Sequence, residues 1–324
     1  MSYNRSNCFA KRAPASWFGG IGCKGYELFL IDNISIEIMK VAIFGNIHRA
    51  ETITTVKELL QLLRQEGIQA VLDSSIYQEL SRDMQDEALV CMKPDEEADW
   101  ALSVGGDGTF LNTAAVVGKR MPILGLNTGR LGFLADISPE DMPEALAKVL
   151  AGHYTLEQRS LLEVKIENAQ LTIPQNALNE VALLKQDLSS MISVSVYLDG
   201  SFLHTYQADG VMVSTPTGST AYALSVGGPI LTPQTQNFIL APVATHSLNV
   251  RPMVIADDTL IELQVHSRSN SFLLSVDGQS QVLNDAVKIT LKKAAHSVQT
   301  IRVEGHSFFQ TLKTKLMWGV DKRV

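Results

Sequence analysis

Gly105-Gly106-Asp107-Gly108-Thr109 follows the apolar run Trp100-Ala101-Leu102-Ser103-Val104 and precedes a segment able to form a helix. A strand that ends in a glycine turn and reopens as a helix is the joint from which α/β folds are assembled. Glycines on both sides of one carboxylate let the backbone take positive φ and approach a bulky anion, while the helix start offers unpaired N–H groups to phosphate. Taken alone, such a cluster is also a common strand-to-helix turn. Its place at the carboxyl end of a strand, where open parallel sheets bind their ligands, favours a nucleotide.

Upstream, Met39-Lys40 introduces Val41-Ala42-Ile43-Phe44-Gly45, which reads as the first strand of a Rossmann-like half. A helix is expected through residues 54–63, closed by Gly67, with further short strands at 69–72, 101–104 and 122–126 and a helix over 139–150 ending at Gly152. Strand and helix periods alternate, so an open, mostly parallel sheet is expected over 39–152. Residues 1–38 lack sustained periodicity and are too polar for a secretory signal. Gly20-Ile21-Gly22-Cys23-Lys24-Gly25 has the dinucleotide spacing, yet no strand precedes it and no amphipathic helix follows, so the match is by chance. Met39 is read as the natural start, with 1–38 a disordered or mis-assigned extension.

Downstream of about Thr155 the pattern changes to consecutive strands, at 162–166, 179–184, 192–198, 201–206, 253–265, 272–276 and 287–291. Asp199-Gly200 between two alternating runs signals a hairpin, because both central positions of a type I′ turn take positive φ. Residues 153–307 are therefore expected to form an antiparallel, all-β domain. One short helix interrupts it over 216–226, with Thr217 or Ser219 as N-cap and Gly227-Gly228-Pro229 as stop. The tail, 308–324, has helical spacing and is expected to return to the first domain.

With 324 residues, a hydrophobic content of 45% and a charged content of 19%, the chain is long enough for two cored domains, and it holds no apolar run of the ~18 residues that a membrane span needs. A net charge of −7 argues against a nucleic-acid partner. Cys8, Cys23 and Cys91 are scattered and odd in number, so neither disulfides nor a zinc site is indicated, and a reducing cytoplasm fits.

Four separated stretches share one explanation: Gly105 to Thr109; Leu178-Asn179-Glu180-Val181; Asp209-Gly210-Val211-Met212-Val213-Ser214-Thr215-Pro216-Thr217-Gly218-Ser219-Thr220-Ala221-Tyr222; and Val276-Asp277-Gly278-Gln279. In this order and spacing they resemble the NAD kinases, which phosphorylate NAD to NADP. Asn127-Thr128-Gly129-Arg130-Leu131-Gly132-Phe133-Leu134 adds to the resemblance, which runs from about Met39 to the C-terminus. The glycine turn is shared with lipid and phosphofructo-type kinases, whereas the Ser-Thr-Pro-Thr-Gly-Ser-Thr-Ala-Tyr stretch is far more restricted.

The resemblance implies transfer of the ATP γ-phosphoryl group to the 2′-hydroxyl of the adenosine ribose of NAD, with Mg²⁺ arriving on ATP. The transition state for such a transfer is loose, so alignment and electrostatics dominate, with a carboxylate taking the hydroxyl proton late. Asp107 is the candidate acceptor; holding Mg²⁺ or capping the turn are its other readings. Gly105, Gly106, Gly108 and Thr109 would cradle the donor phosphates with backbone N–H groups and a hydroxyl, as helix starts do, and the lack of a G-x-x-x-x-G-K-[ST] loop excludes a P-loop kinase. The resemblance further implies NAD contacts for Asn179 and Glu180 at the ribose hydroxyls, Asp209 at the nicotinamide end, and Thr220, Ala221, Tyr222, Ala223, Leu224 and Ser225 on the inserted helix, with Ala244 and Gln279 completing the set. Gln207 stands where the family varies between basic, polar and glycine residues and suggests NAD rather than NADH; Ser190 stands where relatives often carry a larger His or Arg. A homodimer or homotetramer is implied, with residues 277–279 contributed across a subunit boundary. A lipid kinase built on the same turn, or a dinucleotide sensor without turnover, remain the alternatives; the first needs a basic or amphipathic membrane-facing surface, which the sequence does not offer.

Overall fold

The computed structural model describes residues 39–83, 88–93, 95–129, 131–187 and 190–319; the extension before Met39, with its glycine-rich match at 20–25, and Arg130 lie outside the described residues. The first part alternates β1 (Lys40–Gly45), α1 (Ala50–Gln65), β2 (Gln69–Leu72), α2 (Ser74–Asp83), β3 (Trp100–Val104), α3 (Asp107–Val117), β4 (Ile123–Leu126) and α4 (Met142–Leu150). Helix α1 buries Thr52, Thr55, Val56, Leu59, Leu60 and Leu63, the three-and-four spacing of a single apolar stripe. Gly67, at φ +69°, ends it by turning left-handed while Ile68 N–H closes back on the Leu63 carbonyl at 2.9 Å. All five residues of β3 are buried, as befits a parallel strand covered on both faces.

The antiparallel part contains β5 (Tyr154–Glu167), β6 (Asn176–Ala177), β7 (Glu180–Lys185), β8 (Ile192–Leu198), β9 (Ser201–Ala208), β10 (Gly210–Ser214), β11 (Asn237–Val243), β12 (Met253–Ala256), β13 (Ile261–His266), β14 (Ser271–Val276), β15 (Gln279–Asn284) and β16 (Lys288–Val303). One sheet of ten strands has the order β2-β1-β3-β4-β16-β13-β8-β9, with β5 beside β16 and β6 beside β5; a second, of six, runs β12-β11-β10-β7-β14-β15. Strands β1 to β4 pair in parallel, and the second sheet is antiparallel throughout. The two sheets enclose a core that includes Val181, Val194, Val196, Val211, Val213, Phe238, Leu263, Phe272 and Ile289. Asp199 and Gly200 take φ values of 50° and 77°, the paired positive φ of the expected type I′ hairpin.

Three expectations are corrected. The run at 253–265 is two strands, because Asp257-Asp258-Thr259-Leu260 carries the chain from β12 in the second sheet to β13 in the first. The helix at 216–226 is a 3₁₀ turn, Thr217–Thr220, followed by one α turn, α5 (Tyr222–Ser225), with Ala221 at φ −100° and ψ −128° breaking the path. Its entry is capped by neither Thr217 nor Ser219: Thr215 Oγ1 accepts the Gly218 N–H at 3.2 Å. The turn and α5 lie on the outer face of the second sheet, where Ala223 packs with Ala182, Met212, Ile239 and Ala241. The tail forms α6 (Phe308–Leu316), capped by Ser307, whose side chain accepts the Gln310 N–H. Its Phe308 ring lies 6.1 Å from that of Phe133.

Candidate functional site

Strand order decides where a ligand fits. The order β2-β1-β3-β4 reverses direction between β1 and β3, so the chain leaves these two strands on opposite sides and opens a crevice at their carboxyl ends. A cleft of about 750 Å³ lies there, lined by Phe44 and Gly45 at the end of β1 and Asn46 to Arg49 after it, Asp73 and Ser75 after β2, Gly106, Gly108 and Thr109 at the start of α3, and Asp277 to Gln279 from the second part of the chain. Gly106 is the N-cap of α3. A Cβ added to Gly106 or Gly108 would meet no protein atom within 4 Å, so these glycines leave room above the helix start for an anion. Only Gly105 of the three takes positive φ, at +153°, and a Cβ there would collide with the Thr109 side chain. Of the two uses expected of these glycines, positive φ falls to Gly105, which closes the turn, and a bare surface to Gly106 and Gly108.

Asp107 points toward the segment after β4. Its Oδ2 accepts the Phe133 N–H at 2.9 Å, and its Oδ1 accepts those of Leu134 and Ala135 at 2.9 and 3.1 Å. Lys315 Nζ, from α6, donates to Oδ2 at 3.3 Å and stands 4.6 Å from the centroid of the Phe133 ring. A Cβ on Gly132 would collide with this carboxylate. The residue therefore staples the 133–135 segment as well as opening α3.

Asp277 repeats that arrangement in the second sheet. It sits with Gly278 in a positive-φ turn between β14 and β15, at 49° and 83°, and accepts the N–H groups of Leu178, Asn179 and Glu180 at 2.7, 2.8 and 3.0 Å. Burial pushes the Asp277 carboxyl up, against the pull of those three donors. Beside it, Glu180 is pushed up to about 7, first by burial and then by the Asp277 charge, with the Tyr222 backbone N–H acting in the opposite direction. Glu180 Oε2 is buried without a hydrogen-bond partner among the described residues. Asn179 is 8% exposed, and its carbonyl accepts from Ser214 Oγ and Thr215 N–H.

The contacts continue outward from Glu180. Burial raises the Tyr222 phenol, with the charges of Glu180 and Asp209 adding to it. Tyr222, Ser225 and Ala244 line a second recess of about 610 Å³, together with Arg251. Asp209 pairs with Lys185 at 2.7 Å. Gln207 accepts from Ser193 Oγ, and its carbonyl accepts the His246 N–H. Thr220 Oγ1 bonds the Thr217 carbonyl, and Ala221 N–H bonds that of Gly218. Ala223 is fully buried and Leu224 half-buried, so the first presents no surface to a ligand. Residues 277–279 face the first cleft within this same chain. Sequence reasoning passed over Asn46 to Arg49, Asp73 and Ser75; the apolar strands before them were visible, but only strand order brings their ends together.

Among the described residues, no group of three or more His, Cys, Asp or Glu side chains is placed to hold a metal ion, and no helix is long and apolar enough to cross a membrane.

A crevice at the reversal of a parallel sheet, walled by a bare helix start and roofed by a hairpin from an antiparallel domain, defines a two-part nucleotide-binding α/β protein. The pattern of the ATP-NAD kinase N-terminal domain matches residues 41–154, and that of the ATP-NAD kinase C-terminal domain matches residues 178–303. The chain belongs to the ATP-NAD kinase family. An NAD kinase of Bacteroides fragilis is 47% identical over 290 residues, covering 88% of this chain and 100% of the relative; one of Porphyromonas gingivalis is 44% identical over 288 residues, covering 88% and 99%. Among solved structures, an Archaeoglobus fulgidus NAD kinase in complex with ATP aligns with a TM-score of 0.67 at 26% identity, over 86% of this chain and 99% of that one. Yeast NADH kinase complexed with NADH aligns with a TM-score of 0.81 over 89% and 90%, and at 23% identity it speaks for the fold.

Proposed function

We infer that this protein is an NAD kinase, transferring the γ-phosphoryl group of ATP to the 2′-hydroxyl of the adenosine ribose of NAD. What supports the site assignment is that the cleft at the start of α3 takes in Asp277, whose carboxylate holds the Asn179 and Glu180 N–H groups, while Tyr222 and Ala244 line a recess of their own. A triphosphate fits the near end, where Gly106 and Gly108 offer backbone donors, Thr109 a hydroxyl and Arg49 a cation. A dinucleotide fits the remainder: Asn179 and Glu180 at ribose hydroxyls, Tyr222 against a ring face, Thr220, Ala221 and Ser225 allowing close approach, and Asp209, Gln207 and Ala244 toward the nicotinamide end.

Asp107 takes the acceptor proton. Its carboxylate stands at the helix start that cradles the donor, and fixing it by three backbone N–H groups removes the need to reorganise during transfer. Magnesium arriving on ATP would offset charge building on the transferring group. Asp73 and Asp277 are the carboxylates facing the cleft, which fits an ion held mainly by phosphates and water. The protein works in the cytoplasm as a homodimer or homotetramer. Incubation with NAD, ATP and Mg²⁺ tests the reading: NADP and ADP are expected in equal amounts. Formation of phosphatidate from diacylglycerol instead indicates the lipid kinase, and binding of NAD without product indicates a sensor.

A further inference from the structure

A carboxylate offers about four acceptor positions, two on each oxygen. All four on Asp107 are taken: Leu134 and Ala135 on Oδ1, Phe133 and Lys315 on Oδ2. Three of these donors are backbone groups of one segment, at 2.9 to 3.1 Å, and cannot leave without unfolding that segment. The fourth is the longest, at 3.3 Å, beyond the ~2.7 to 2.9 Å of a strong charge-assisted bond, and it ends a flexible stem. Both partners are open to solvent, with side-chain exposures of 32% for Lys315 and 31% for Asp107. The Phe133 ring, 4.6 Å from the ammonium, offers it a second resting place. Helix α6 is anchored independently, by Phe308 against Phe133 and by buried Thr311 and Leu312, so the ammonium can swing while the helix stays docked.

We propose that Lys315 is a positioning residue of the reaction: it holds the one exchangeable acceptor position on Asp107, and the acceptor hydroxyl must displace it to reach that carboxylate. This rests on Asp107 being the proton acceptor. When both substrates are bound, the 2′-oxygen forms its bond to the γ-phosphorus, the bond from that phosphorus to the ADP oxygen breaks, and the hydroxyl proton passes to Asp107 Oδ2. The displaced Lys315 ammonium turns to the triphosphate lying at the start of α3. Before substrate arrives, the ammonium keeps the carboxylate from taking a wrong donor.

The test measures binding of NAD, and of an NAD analogue lacking the adenosine 2′-hydroxyl, to wild-type protein and to Lys315→Met, without ATP. The variant is expected to bind NAD about threefold to fivefold more tightly, since the competing ammonium of a partly exposed pair is gone, and to bind the deoxy analogue as the wild type does. At saturation its kcat is expected to fall about tenfold or more, and Lys315→Arg to recover most of that loss. Unchanged or weaker NAD binding in Lys315→Met, or equal tightening for both ligands, overturns the proposal. Should Lys315→Met unfold, Lys315→Gln carries the same comparison. Failure of the kinase reading shows separately, as wild-type protein that binds NAD and makes no NADP.

Discussion

At the scale of single residues, the two parts of the site are built with the same device. Asp107 and Asp277 each gather three consecutive backbone N–H groups, those of 133–135 and of 178–180, and each thereby fixes that segment. The cost falls on Glu180, half-buried beside Asp277, with its buried Oε2 unpartnered among the described residues and its carboxyl raised to about 7. A carboxyl raised in the folded state contributes stability below its unfolded value, and that contribution is lost as pH climbs through the folded one. Glu180→Gln is therefore expected to stabilise the ligand-free protein at about pH 8 by up to ~3 kcal/mol, with the gain vanishing below about pH 5. Urea unfolding of both proteins across that range measures it; a gain independent of pH contradicts the assignment.

At the scale of elements, the inserted segment depends on a glycine for its fit. A Cβ on Gly218 would collide with the Asn179 carbonyl oxygen and stand 2.5 Å from Ser214 Oγ, both buried. Gly218→Ala is expected to lower stability by about 2 to 4 kcal/mol and to weaken NAD binding, because relief requires moving Asn179. Thermal unfolding with and without NAD checks this. Such dependence explains what the sequence reveals and what it hides. Strands with alternating burial, such as β8 and β14, and the Asp199-Gly200 turn are legible because their determinants lie within a few residues. Strand β15, Gln279-Ser280-Gln281-Val282-Leu283-Asn284, is hidden by its polarity, with Leu283 its one buried apolar side chain. Helix α2 is short, and only Ile76 and Leu80 are fully buried on it. The break at Ala221 and the division of 253–265 come from packing on a distant sheet, which no local pattern encodes.

At the scale of the whole molecule, the two parts share a sheet. Strand β16 begins against β13, pairs with β5 along its length, and near its end pairs in parallel with β4 through Thr300 and Ile123. Around it lies a buried charge network: Arg302 pairs with Asp136, and Glu157 with Arg159 at 2.6 Å and with Arg302 at 3.5 Å. Asp136 directly follows the segment held by Asp107, so the joint between the parts also supports the site. A continuous sheet transmits unfolding of one part to the other, and a single calorimetric transition is expected; two separated transitions contradict the shared-sheet account. The cleft itself was legible only in part: the glycine turn announces one wall, while the opposing ends of β1 and β2 and the 277–279 roof are joined by strand order. The central claim is that Asp107, between the cleft-lining Gly106 and Gly108, accepts the ribose proton, and the most direct measurement compares NADP formation and NAD binding in wild type and Asp107→Asn. A fall in kcat of about 10²- to 10⁴-fold with NAD affinity retained is predicted; NADP formation by Asp107→Asn at the wild-type rate would contradict the account.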